Sequence, residues 1–148
     1  MKRSFFIIAL ILTAIGVNAG NEGKTISYVK TDSKVYFGED VKLGLFNTKI
    51  VSLDGTVTKI PYRDVVSYMD DSRLFENLPV VCENNDTSCF AMMEYVTTKS
   101  GLNLYRYECN KEKTPRSDYY VFKSGKFHLR IDQKNARTVL PFFGIKVV

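Results

Sequence analysis

The chain of 148 residues has no tryptophan, one histidine, three cysteines and four prolines. Beyond its first 19 residues, no apolar run approaches the roughly 18 residues that a membrane-spanning helix needs. Each scarcity removes a class of function. With one histidine, His128, a metal site built on several imidazoles is excluded, and any histidine-dependent triad must pass through that residue. No two cysteines stand in C-x-x-C spacing, which removes a thioredoxin-like redox motif. Like-charge runs are also missing. The densest basic stretch, Lys111 to Arg116, is diluted by Glu112 and Pro115, so the basic stripe that nucleic acid requires is lacking. Nothing in the sequence calls for a metal or a cofactor. The remaining composition, 45% hydrophobic and 25% charged, is that of one globular domain rather than a disordered tail or a coiled coil.

The first feature present is at the N-terminus. Lys2 and Arg3 precede Phe5 to Val17, an uncharged stretch of thirteen residues, and Val17-Asn18-Ala19 places small residues where a signal peptidase reads them. This is the pattern of a cleavable secretory signal over residues 1–19, with cleavage expected between Ala19 and Gly20 and a single β-rich domain over 20–148. No cysteine stands near the cleavage point, so a lipoprotein anchor is not expected. Removing Lys2 and Arg3 lowers Lys+Arg from 21 to 19 against 16 acidic residues, so the net charge falls from +5 to +3. Such a chain is expected to be periplasmic or secreted. In that compartment disulfides persist, and Cys82, Cys89 and Cys109 allow one bridge with three possible pairings. A Cys82–Cys89 bridge across the polar stretch Glu83 to Ser88 is favoured. Closing so short a loop stabilises by about 2.5 kcal/mol. Cys109 is then left buried, or free to join two chains in a dimer.

Turn signals recur at Thr31-Asp-Ser-Lys34, Leu53-Asp-Gly-Thr56, Asp70-Asp-Ser-Arg73, Lys99-Ser-Gly101 and Lys123-Ser-Gly-Lys126, each between β-branched or aromatic stretches. Such turns between β-favouring runs are hairpin signals. Alternation near the end places Phe127, Leu129 and Ile131 on one face, with Lys126, His128, Arg130 and Asp132 on the other. Val41, Leu43 and Leu45 form a similar set. Helical periodicity is confined to Tyr62–Met69 and Gln133–Val139. The expected fold is therefore all-β: an antiparallel meander of about eight to ten strands, closed as a small barrel or packed as a two-layer sandwich, with at most one or two short helices.

Candidate functional residues are few. His128 lies between Lys126 and Arg130 on a face that reads as solvated, and a hydrolase built on it is the weakest of the readings. Glu94 follows Phe90 and Met92 at alternate positions, so it is expected either to pair with Arg106 or a lysine, or to anchor a ligand. Aromatics crowd the second half, and Tyr105, Tyr107 and Tyr120 are candidates for a stacking platform beside Glu94.

The segments Lys34-Val-Tyr-Phe-Gly38, Leu45-Phe-Asn-Thr-Lys-Ile50, Leu74 to Val81, Gly125 to Asp132 and Val139 to Gly144 together resemble small exported proteins of Bacteroides-type bacteria. The resemblance implies export and transfers no catalytic residue. The expected function is thus non-enzymatic: an envelope or secreted protein whose β-scaffold binds a small apolar or glycan ligand, or an envelope protein partner. The alternative is an assembly module joined through edge strands or Cys109.

Overall fold

The computed structural model describes residues 25–81, 87–109 and 116–146. The signal segment and its cleavage point, Cys82 and hence the Cys82–Cys89 pairing lie outside these residues. Eleven strands and one short helix are found among the described residues. An eight-stranded antiparallel sheet has the order β11-β10-β9-β8-β7-β6-β1-β2, and a second sheet has the order β3-β4-β5. The fold is all-β, as the alternation implies, but the large sheet does not close into a barrel. It is also not a pure meander, because three strands leave between β2 and β6 to build the second sheet.

The strands are β1 (Ser27–Thr31), β2 (Val35–Gly38), β3 (Asp40–Leu43), β4 (Asn47–Val51), β5 (Val57–Pro61), β6 (Val65–Asp70), β7 (Arg73–Val81), β8 (Thr87–Lys99), β9 (Leu102–Cys109), β10 (Arg116–Lys123) and β11 (Lys126–Ile131). All five turn signals fall at hairpins. Three of them, Asp71-Ser72, Ser100-Gly101 and Ser124-Gly125, have both central residues at positive φ. That geometry matches the right-handed twist of the flanking strands.

Side-chain alternation sorts the large sheet into two faces. One face carries Val29, Tyr68, Phe75, Glu94, Arg106, Tyr119 and Ile131, which are successive cross-strand partners. The small sheet covers one end of it. Val41, Ile50 and Ile60 pack against Val29, Val65 and Tyr68. The sharp passage from one sheet to the other is made at Gly38, where an added Cβ would stand 2.2 Å from the carbonyl oxygen of Val51. Helix α1 (Ala136–Phe142) covers the other end, packing Leu140, Val139 and Phe143 on Leu104, Val121, Leu129 and Ile131. Its entry is fixed by Asp132, whose carboxylate accepts from the Lys134 and Asn135 amides at 2.8 and 3.0 Å.

The opposite face of β7–β11 is concave. The strands curl until Cα atoms of β11 approach within 8 Å of β7. Met93, Tyr105, Tyr120 and Phe122 are buried inside this curve with Leu78, Val80, Tyr95, Tyr107 and Phe127 around them. β6 pairs with β7 only as far as Glu76, so Pro79 stands where β7 has one ladder partner. That is where a residue without an N–H is tolerated in a sheet.

Three expectations are corrected. Tyr62–Met69 is not a helix: a single 3-10 turn at Tyr62–Asp64 leads directly into β6. Burial of Val65 and Tyr68 in the core beside β1 overrides the weak local periodicity. Leu45 does not continue the β3 alternation but sits beyond the strand end, 92% exposed. Phe127 does not share a face with Leu129. The β10–β11 ladder runs Val121↔Leu129 and then Phe122↔Phe127, leaving His128 without a partner. This bulge turns Phe127 into the concave cluster, while Leu129 packs under α1.

Candidate functional site

Tyr95, Tyr105, Tyr120 and Arg130 are consecutive cross-strand partners on β8, β9, β10 and β11, and Tyr107 with Asp118 forms the next rung. The strand register thus brings Tyr105, Tyr107 and Tyr120 together on the concave face. Glu94 is excluded from that group, because it neighbours Tyr95 in sequence and so projects from the opposite face. There it lies directly opposite Arg106 and accepts from its Nε at 3.1 Å. This contact raises the Arg106 pKa further above the ordinary guanidinium value. The ligand-anchoring role read for Glu94 beside the tyrosines therefore lacks the geometry it needs, because alternation puts the two on different sides.

Two of the three tyrosines are core residues first. Tyr105 is 4% and Tyr120 1% exposed. Tyr105 meets Tyr95 and Phe122 edge-on, with centroids 5.8 and 5.5 Å away. Its hydroxyl donates to the Glu76 carboxylate on β7. Burial, and then this hydrogen bond, push its pKa well above the ordinary phenol value. Tyr107 is half-buried at the edge of the cluster.

The polar member that the sequence reading missed is Arg130. Read as part of a solvated face, it lies over the Tyr120 ring at 6.0 Å and donates to Asp118 at 3.1 Å. Both partners are largely buried, with side chains 24% and 15% exposed. Its Nε is shielded from solvent and meets no acceptor among the described residues. A buried donor without a partner costs about 1–3 kcal/mol. Alternation already set Arg130 opposite Leu129 and Ile131; what one strand could not show is that β10 brings Asp118 and Tyr120 to that side. His128 itself is exposed at the bulge. Cys109 closes β9 opposite Arg116. Among the described residues no group of three His, Cys, Asp or Glu side chains is placed to hold a metal ion, and no helix is long and apolar enough to cross a membrane.

The arrangement sets a largely buried cation–carboxylate pair, Arg130 and Asp118, against packed aromatic rings, with the half-buried Tyr107 at its edge. In comparison with known proteins, no family model, no curated protein and no solved structure matches the chain.

Proposed function

We propose that the protein is an exported, non-enzymatic binding protein of the cell envelope or its surroundings, and that the open end of the concave face is its ligand site. The observation that carries this reading is Arg130, held across Tyr120 by Asp118, whose cross-strand partner Tyr107 is half-buried at the edge of the same face. A saccharide matches such a surface. Its C–H face stacks on the half-buried Tyr107 ring, and its ring and hydroxyl oxygens accept from the exposed part of the Arg130 guanidinium, whose geometry is already fixed. Pre-organisation matters because the ordering cost of Arg130 is met in the folded state rather than on binding. A small apolar ligand uses the same rings without the cation.

The test is calorimetric titration of the protein against a panel of neutral and acidic oligosaccharides, in parallel with Arg130→Met and Tyr107→Ala. Binding that weakens at least about tenfold in both variants supports the site, since a lost charge-assisted hydrogen bond is worth roughly 1.5–3 kcal/mol. Binding unchanged in both variants, or none by the native protein, removes the saccharide reading. The open edges β2 and β11 keep the assembly alternative in view, and a dimer that dissociates on reduction of Cys109 would favour it.

A further inference from the structure

The outer surface of the small sheet carries an arrangement that the concave site does not use. Lys42, Lys49 and Lys59 are direct cross-strand partners on β3, β4 and β5, so three lysines form one row across the sheet. Their inward-facing neighbours Val41, Ile50 and Ile60 are buried in the core, which leaves all three lysines on the solvent side. Like charges directly opposite one another destabilise a sheet, and nothing within the row relieves them. Asp40 reaches Lys42 at 3.2 Å, one row farther from the hairpin tip.

The β3–β4 hairpin ends in Gly44-Leu45-Phe46, where Leu45 is 92% and Phe46 82% exposed. The turn is fixed rather than frayed: the Gly44 amide donates to the Asn47 carbonyl at 2.9 Å, and the Tyr62 amide to the Phe46 carbonyl at 3.0 Å. That second bond sets Tyr62 and Arg63 beside the tip. Lys42 and Lys49 each stand three residues from it, about 10 Å along the strand. The order from the tip inward is therefore two large apolar side chains, a tyrosine and an arginine, then a row of cations.

We infer that this end of the molecule docks on an anionic lipid bilayer. Interfacial insertion reaches about 5–10 Å below the headgroups. At that depth Leu45 and Phe46 enter the acyl boundary, Tyr62 lies at the interface where its amphipathic ring is favoured, and Lys42, Lys49 and Lys59 meet the lipid phosphates. The local balance is positive, with Lys42, Lys49, Lys59 and Arg63 set against Asp40 and Asp64. Anionic headgroups relieve the repulsion along the row. A neutral protein partner would cover the tip but leave the lysines opposed. This inference is independent of the saccharide site.

The test is co-sedimentation of the protein, as recovered from expressing cells, with vesicles of phosphatidylcholine alone and of phosphatidylcholine mixed with phosphatidylglycerol. Three variants accompany it: Leu45→Asp with Phe46→Asp, the three lysines changed to Gln, and the three changed to Arg. All sites are exposed, and thermal melts of each variant report its folding. The expected result is preference for the anionic vesicles, weakening as salt rises. It falls roughly tenfold or more in the tip variant and about fivefold for each lysine neutralised, and it is retained with arginine. Equal binding to both vesicles overturns the inference, as does binding that survives the tip variant and so belongs to the N-terminal apolar stretch. Absence of vesicle binding, with self-association abolished by the tip variant, assigns the surface to a second copy of the chain instead.

Discussion

Ser72 holds φ at 64° in the Asp71-Ser72 turn, a conformation that costs a non-glycine residue roughly 1 kcal/mol. Ser72→Gly, which gives the Asp-Gly pair such turns favour, is expected to raise stability by about 1 kcal/mol in a denaturant titration. Tyr68 makes a different residue-level case. Its ring stacks on Phe75 at 4.6 Å, and burial pushes its pKa well above the ordinary phenol value. The unfolded chain therefore ionises first as pH rises through about 10, so the folded state binds more protons and loses stability from there upward. Tyr68→Phe keeps the stack and removes the phenol, and its melting temperature should fall less between pH 9 and 11 than that of the native protein. At this scale the sequence was readable where chemistry is local. Glu94 and Arg106 are opposite charges on adjacent β-runs, and they do meet. Arg130 was misread because its role depends on Asp118 and Tyr120, which only the pairing of two strands brings to it.

Elements divide along the same line. The hairpin turns were legible because Asp-Gly and Ser-Gly pairs encode positive φ within two residues. Bulges were not, because an unpaired residue is a property of two strands and leaves no mark on one. The bulge at His128 is the sharpest example, since it reverses the face of Phe127 relative to Leu129. Deleting His128 converts that stretch into a regular ladder with Phe127 and Leu129 on their observed faces. The deletion variant should therefore fold, with its urea midpoint little changed, whereas Phe127→Ala loses about 2 kcal/mol from the concave cluster. Loss of folding on deletion would restore the unbroken alternation. The short helix predicted over Tyr62–Met69 failed for a related reason: about two turns of weak periodicity cannot stand against a strand position beside β1.

At the largest scale, the described residues form two sheets and a helix arranged so that one face of the large sheet is covered and the other is enclosed by its own curvature. All-β architecture was legible from period and turns. Its division was not: the pivot is Gly38, whose lack of a side chain matters only because the Val51 carbonyl lies against it. Alternation left barrel and two-layer sandwich equally open, and the large sheet does not close. The candidate site was half legible. Strand register puts Tyr105, Tyr107 and Tyr120 on one face and Glu94 on the other, and Arg130 is the polar group on the tyrosines' side. The proposed role of the concave face is to carry a ligand through Arg130. Its most direct test is a native mass spectrum of the protein purified gently from the cells that produce it, with Arg130→Met alongside. The expected result is a reproducible non-covalent adduct on the native protein that is lost or greatly reduced in the variant. An adduct-free native protein, or an adduct equally abundant in both, would contradict it.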